Sequence, residues 1–315
     1  MDNNEKKVKV ACFSVISNAL LVFFKLAVGI AINSVSVLSE GIHSGLDLLA
    51  ALLALFAVRQ SGKPPDERHR YGHGKIENIS GVVEALLIFL AAVWIVWEAV
   101  RKLITRAGVE TPGWGIAVMM CSGAVNYFIS NLLMKTARAT DSVALEADAW
   151  HLKTDVYTSL GVAIGLLLLL VTRYYFLDPL IAIVVALLIV KASFDLARKA
   201  FLPLIDTSLP PEEEEIIREI IDEYASSYIG FHDLRTRKSG SERHIDLHLV
   251  VPRTRSIAMT HELCDDIEEA LKRRFPGSHV LIHVEPCQHG EDCPTCPEIC
   301  DLSSEKREAA KEEIR

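Results

Sequence analysis

The sequence lacks the features that mark several classes of protein. It contains no H-E-x-x-H motif of zinc proteases and no G-x-x-x-x-G-K-[ST] phosphate loop, so neither a membrane metalloprotease nor ATP-driven chemistry is indicated. It has no excess of positive charge: 33 basic residues face 41 acidic ones in 315, a net charge of −8 that argues against a nucleic-acid partner. Cysteines are few and clustered, with five of the seven in the last third, so no disulfide framework is expected.

Apolar residues, by contrast, make up 50% of the chain and are concentrated in long runs. Each run has the roughly 20 residues needed to cross a bilayer, and the runs do not alternate, which favours helices over barrel strands. No cleavable signal peptide is evident at the N-terminus. Twelve Lys and Arg residues lie in loops of one predicted side and four in loops of the other, which places both termini in the cytoplasm. The six predicted spans are 8–32, 36–58, 79–102, 113–137, 143–172 and 178–200.

The charge balance changes near Asp206. Residues 1–205 sum to +3, whereas residues 206–315 sum to −11. This change predicts a transmembrane domain over 1–205 and a soluble domain after it. The soluble part is predicted to begin with a helix after Leu209, followed by strands at 230–238 and 243–251, a helix at 257–274 and a strand at 279–286. That order, α-β-β-α-β, predicts a small α+β domain over 206–286 with its helices on one face of a sheet, followed by a Cys-rich, charged tail over 287–315.

The second and fifth predicted spans repeat one pattern of ionisable residues, acid-x-x-His-x-x-x-Asp. Such residues are costly at membrane depth, about 2.5–3.5 kcal/mol for each Asp, so they are expected to face the bundle interior and to have a function. Residues four apart share a helix face, and two imidazoles with two carboxylates suit a tetrahedral Zn²⁺ ion. The alternative is that each His–Asp pair only bonds within its own helix. The pattern comprises Glu40, His43 and Asp47 in the second span and Asp148, His151 and Asp155 in the fifth. Glu40 and Asp148 are weaker candidates for a role in the site. They are predicted to lie near its entrance, to accept hydrogen bonds from its ligands, or to be solvated at helix ends.

The loop between the second and third spans carries a second candidate site. Asp66, His69 and His73 form D-x₂-H-x₃-H, and on a tight loop three such groups can converge on one ion. The alternative is a basic loop with incidental histidines.

The soluble part carries two further groups of potential ligands. The first is spread over predicted strands and a helix, so it converges only through folding, and surface histidines are the alternative; it comprises His232, His248, His261, His283 and Glu285. His244 shares a strand face with His248 but has no obvious partner. The second lies in the tail around a C-x₂-C pair, which suits a thiolate zinc site, with redox-silent cysteines as the alternative; it comprises Cys287, His289, Cys293, Cys296 and Cys300.

At these residues the sequence resembles the cation diffusion facilitator, or cation efflux, family over residues 8 to about 286. The resemblance lies in the paired His43-x₃-Asp47 and His151-x₃-Asp155 motifs with their surrounding residues, and in the stretch from Tyr71 to Glu77. It implies a homodimer of six-helix bundles, each with a metallochaperone-like cytoplasmic domain, and exchange of a divalent metal for protons. It also implies a transport site at the four motif residues, a loop site at 66–73, a site in the cytoplasmic domain, and a salt bridge between Lys75 and Asp206.

The resemblance and the ligand chemistry together predict the function. A His-Asp/His-Asp quartet is similar to the zinc-preferring type, with Cd²⁺ and Co²⁺ as further candidates. The expected protein is therefore a secondary active transporter in the cell (inner) membrane that works by alternating access, not an enzyme. Two alternative functions fit the sequence less well. An intramembrane metalloenzyme is disfavoured because all four quartet positions are protein ligands, and a non-transporting metal receptor that signals through its soluble domain is only weakly disfavoured.

Overall fold

The computed structural model describes residues 3–31, 35–105, 113–172, 176–253 and 255–287; within the helices, the side chains of some residues, His43 among them, lie outside that description. The chain divides into two compact units, Met1–Leu204 and Ile205–Arg315. Among the residues described, the first unit contains six long helices. They are α1 Asn3–Ala31, α2 Val35–Ser61, α3 Lys75–Thr105, α4 Gly113–Thr140, α5 Val143–Thr172 and α6 Leu177–Phe201.

Four segments in the described part of the chain are long and apolar enough to cross a membrane. They are Asn3–Ala31, Ser44–Ser61, Lys75–Arg101 and Pro179–Ile205. They fall on α1, α2, α3 and α6, so the count of six predicted spans stays a prediction for α4 and α5. Large apolar side chains point outward, among them Phe23, Leu49 and Trp94, as expected for a surface that faces lipid.

Small side chains allow the helices of the first unit to approach closely. One apolar cluster joins α1, α2, α4 and α5 through alanines such as Ala11, Ala57 and Ala149, and another joins α3, α5 and α6. Between α3 and α6 a Cβ on Gly81 would lie 3.0 Å from the Cβ of Ala200, so a larger residue there would force the helices apart. The interior of the bundle is therefore tight, and any polar group inside it has to be accommodated by specific partners.

One such group, Glu77 at the start of α3, is almost fully buried. Its carboxylate lies 3.0 Å from the ammonium of Lys7 on α1 and accepts hydrogen bonds from Ser61 of α2, at 2.8 Å, and from Ser142, just before α5. This network ties four segments together at one end of the bundle and satisfies an otherwise costly buried charge.

In the described part of the second unit there are two helices and a three-stranded sheet. Its elements are α7 Pro211–Asp222, β1 Gly230–Ser239, β2 Glu242–Val251, α8 Ile257–Arg274 and β3 His279–Pro286. Strand β2 is central, antiparallel to β1 and parallel to β3. The core lies between one sheet face, with Ile245, Leu247 and Leu249, and the apolar stripes of α7 and α8. The predicted order of elements in this unit is confirmed.

Local sequence explains where these helices begin and end. Helix α7 starts with Pro211, which needs no N–H partner at a first helical position, and has three glutamates in its first turn, where the helix dipole favours negative charge. The Ser256 side chain caps α8 by accepting a hydrogen bond from the N–H of Met259, and Lys272, Arg273 and Arg274 lie in its last turn.

Candidate metal centres

The first candidate centre lies between α2 and α5. Asp47 Oδ1 lies 3.2 Å from His151 Nε2, although the two residues are 104 positions apart. One ligand atom from each of Asp47, His151 and Asp155 lies within 4.8 Å of the others. Both Asp47 and His151 are largely buried, with side-chain exposures of 6% and 12%. Three of the four predicted ligands therefore meet in one place inside the helical unit.

The fourth predicted ligand, His43, lies on α2 one turn before Asp47. Its side chain, like that of Glu40, is outside the described residues, so its part in the site stays a prediction from helical spacing. Asp148, one turn before His151, is fully buried but does not belong to the trio.

Two groups around this centre were missed by the sequence analysis. The side-chain amide of Asn126 on α4 donates to Asp155 Oδ2 at 3.5 Å, which supports that carboxylate from outside the motif. Lys25 on α1 is buried and donates to Ser44 Oγ, at 2.7 Å, on the same helix as Asp47. An asparagine and a lysine inside apolar runs are signals of their own, because polar residues at membrane depth need a partner.

The second candidate centre is the loop between α2 and α3. Asp66 Oδ1 accepts hydrogen bonds from the backbone N–H groups of Arg68 and His69, at 2.8 and 2.7 Å, and lies 3.2 Å from His69 Nδ1. His73 Nε2 is 3.3 Å from Asp66 Oδ2, and the two imidazole rings are 4.5 Å apart. The hydrogen bond from the backbone of His69 holds the pKa of Asp66 below its usual value. The three predicted residues therefore converge as a ligand set for one ion.

The third candidate centre lies on the sheet face of the second unit that α7 and α8 do not cover, which we call the open face. His248 Nδ1 is 3.0 Å from Glu285 Oε1, and His232 Nε2 is 3.6 Å from Glu285 Oε2. His232 Nδ1 is buried and has no hydrogen-bond partner among the described residues, so this ring nitrogen is available to a metal ion. His283 is at the edge of the cluster, 3.8 Å from Glu285 and with its ring 4.7 Å from that of His248. Imidazole and carboxylate donors gathered in this way fit a zinc ion.

Two predicted members of the soluble sites lie elsewhere. The structure does not bring His261 to the cluster: it is exposed on α8 and lies 3.6 Å from Asp265, one turn along the same helix. Cys287 is buried, and its backbone N–H donates to the carbonyl of Val251 at 2.9 Å, so it prolongs the sheet. The other predicted tail ligands lie outside the described residues; they are His289, Cys293, Cys296 and Cys300.

Asp233 is a neighbour of the third centre that the sequence analysis missed. It has a φ of 52° and lies where the register of β1 and β2 shifts between His232 and Arg235. This irregularity places its carboxylate 3.8 Å from His248 Nε2. Strand alternation alone would put Asp233 and His232 on opposite faces, so only the bulge accounts for their proximity.

The predicted salt bridge between Lys75 and Asp206 joins the two units and stays a prediction. Within the first unit, Lys75 Nζ donates to the carbonyl of Leu204 at 3.5 Å. Within the second, Asp206 lies 3.6 Å from Arg237.

Comparison with known proteins adds independent information. Residues 11–205 match the protein family described as "Cation efflux transmembrane domain". Residues 209–287 match the family described as "Cation efflux protein, cytoplasmic domain". The chain is 35% identical to the transporter sll1263 of Synechocystis sp., over 83% of this chain and 86% of that protein. It is 31% identical to the cation-efflux pump FieF of Citrobacter koseri, over 89% and 92%, and 33% identical to FieF of Yersinia pestis, over 89% and 93%.

Proposed function

The chain belongs to the cation efflux family, whose members are transporters in membranes and not enzymes, and from this premise we propose that it exports Zn²⁺ from the cytoplasm in exchange for protons. The observation that carries the proposal is the convergence of the buried Asp47 with the partly buried His151 and Asp155 between two helices of an apolar unit. Ionisable groups are retained at that depth only for a function, and a ligand set there is suited to an ion in transit.

The donor set supports zinc as the preferred substrate. With His43 on the shared face of α2, the site offers two imidazole nitrogens and two carboxylate oxygens, which is a tetrahedral N₂O₂ set. Imidazole favours Zn²⁺, and also Co²⁺ and Cd²⁺, over the harder Mn²⁺, which prefers oxygen ligands. Four protein ligands leave no open position for a catalytic water, which agrees with transport and not hydrolysis.

The contact between Asp47 and His151 supports the proposal of proton exchange. Asp47 Oδ1 and His151 Nε2 are 3.2 Å apart, within hydrogen-bond distance, and each atom can take up either a proton or a metal ion. Zinc binding has to expel such protons, because metal and proton compete for the same lone pairs. In the proposed cycle the site loads zinc when it faces the cytoplasm, the bundle reorients, and protons from the other side release the ion. The two states must differ in affinity for both ions, since that difference is what couples their movements.

The architecture of the working protein is part of the same proposal. Helices α1 to α6 each cross the cell (inner) membrane, with both termini in the cytoplasm as the distribution of Lys and Arg indicates. The cytoplasmic domain pairs with that of a second copy, in accordance with the family resemblance, and its His232/His248/Glu285 site binds metal and favours the transport-competent dimer. The Lys75–Asp206 salt bridge connects the two domains.

The alternative function is a metal receptor that signals through its cytoplasmic domain without transport. The observation that favours it is the metal centre on that domain, which a sensor would also need. Ion flux separates the two functions, because a receptor moves no metal across a membrane.

The experiment that tests transport uses the purified full-length chain in proteoliposomes with a zinc-sensitive dye and a pH dye inside. The expected result is zinc uptake with counterflow of protons, lost in Asp155→Ala and retained in the exposed control Asp195→Asn. Parallel runs with Cd²⁺, Co²⁺, Mn²⁺ and Fe²⁺ rank the substrates. Zinc flux without proton movement would refute antiport, and absence of flux in the wild type together with intact zinc binding would favour the receptor.

A further inference from the structure

The open face of the sheet carries more histidines than the third metal centre uses. Because Ile245, Leu247 and Leu249 enter the core, the alternate residues of β2, His244 and His248, face the other side. Each has a histidine of β3 as its register partner: His248 pairs with His283, and His244 pairs with His279. The second of these pairs lies outside the clusters described above.

The two rings of the His244–His279 pair are stacked, and an acid lies beside them. The two rings are stacked, with centroids 5.0 Å apart and an interplanar angle of 13°. Glu242, two residues before His244 and on the same strand face, has its Oε2 atom 3.8 Å from His279 Nε2. His244 is buried, whereas the side chains of His279 and Glu242 are 56% and 38% exposed. One imidazole of the trio is therefore enclosed by protein, and the other two side chains are accessible from solvent.

These three groups have the donor chemistry of the His232/His248/Glu285 centre, namely two imidazoles and one carboxylate. Two nitrogens bound to one tetrahedral zinc lie about 3.3 Å apart, given Zn–N bonds of about 2.0–2.1 Å. Rings on paired neighbouring strands, about 4.8 Å apart, reach that separation by rotation of the side chains. The trio is more open than the three clusters above, whose ligand atoms lie within 4.8 Å of one another, so the rings have to close on the ion as it binds.

The surrounding charges are compatible with a cation. Arg237 of β1 is the other register partner of His244, and its guanidinium lies 3.6 Å from the carboxylate of Asp206. Asp246, which is exposed, lies between the two histidine pairs on the same strand face and adds negative charge.

We propose that His244, His279 and Glu242 form a second zinc-binding site on the cytoplasmic domain. His244 and His248 are four residues apart on one strand, so the two ions would be about 13 Å apart, too far for a shared ligand. The sites are therefore separate, and an ion at the exposed site has a solvent molecule in its fourth position. The site does not depend on the transport proposal, since it concerns zinc binding by the cytoplasmic unit alone.

Equilibrium dialysis of the full-length protein against radioactive zinc tests the site. The expected result is loss of one zinc per protomer in His279→Asn and one in His248→Asn, with a loss of two in the double variant. Asp246→Asn is the matched control, because it removes a charge from the same face without removing a proposed ligand, and it is expected to keep the wild-type stoichiometry. An unchanged stoichiometry in His279→Asn would overturn the proposal and leave the stacked pair as a packing contact.

A rescue variant adds a spectroscopic readout. His279→Cys keeps a zinc ligand at the same position, so it is expected to retain the full stoichiometry and, with Co²⁺ as the probe, to gain a thiolate-to-metal charge-transfer band relative to the wild type. Retained stoichiometry without the new band would show that position 279 does not coordinate the ion. Zinc flux through liposomes is not part of either readout, so failure here leaves the transport proposal unaffected.

Discussion

Replacement of Asp47 by Asn separates the role of this residue as a ligand from its role in folding. Asp47 is buried, and its Oδ1 atom lies 3.2 Å from His151 Nε2. An amide has the same shape and still hydrogen-bonds to imidazole, so the contact between α2 and α5 survives. What is lost is the negative charge and the strong metal-ligating oxygen.

The expected magnitudes follow from that geometry. Loss of a residue that merely supports a ligand costs about 10–100-fold in metal affinity, so loss of a direct ligand is expected to cost at least about 100-fold, or ~2.7 kcal/mol. Stability should not fall in parallel. A carboxylate at membrane depth costs about 2.5–3.5 kcal/mol on insertion scales, and the neutral amide removes part of that cost. The metal-free variant is therefore expected to melt at the wild-type temperature or above.

Two measurements check this prediction on the same preparation. Titration calorimetry in detergent gives the zinc affinity of the membrane site, and a thermal melt in the presence of chelator gives stability. Asp195→Asn, an exposed acid on α6, is the control for loss of one charge. A folded Asp47→Asn protein with zinc affinity within tenfold of the wild type would refute the assignment of Asp47 as a ligand. A large drop in melting temperature would show instead that its charge has a structural role.

Three further outcomes are expected. Asn126→Ala removes the donor to Asp155 Oδ2 and should weaken zinc affinity about tenfold, ~1.4 kcal/mol, measured as a rise in KM for uptake; an unchanged KM would contradict this supporting role. Glu77→Gln removes the carboxylate that pairs with the buried ammonium of Lys7 and should destabilise the protein by about 3–5 kcal/mol in chemical denaturation, with recovery in the double variant Lys7→Met/Glu77→Leu. The pKa of Asp66 is lowered in the folded protein, so its carboxylate stays ionised as the pH falls through the usual aspartate range. Its contribution to the stability of the loop is therefore complete above about pH 3.9 and is lost only as the pH falls through the lowered pKa of the folded state. A carboxyl NMR titration with a midpoint above about 3.9 would contradict this.

The three candidate metal centres are expected to behave differently in such experiments. Each combines imidazole with carboxylate, but their surroundings differ: buried between helices, held on an exposed loop, or placed on an open sheet face. Burial raises the cost of an unpaired charge, so the membrane site should show the strongest competition between metal and protons. At the candidate sites on the loop and the sheet face, where the ligands are more accessible to solvent, this competition should be weaker.

Much of this protein was determined by the sequence itself, because the relevant information is local. The alternation in 243–251 and the run from Ile257 to Arg274 predicted β2 and α8 to within a residue, since side-chain period and capping act over a few positions. The spacing of His151 and Asp155 predicted ligands on one helix face for the same reason.

Only the tertiary structure decided which distant residues meet. A shift of register in β1 brings Asp233 to His248. Helix packing brings Asn126 to Asp155, and strand pairing brings His244 to His279, 35 positions away along the chain. His261 shows the converse, since its residue type matched the site but its helix placed it beside Asp265. Local periodicity determines which face of its own helix or strand a side chain occupies. The packing of the whole core determines which residues of other elements that side chain meets.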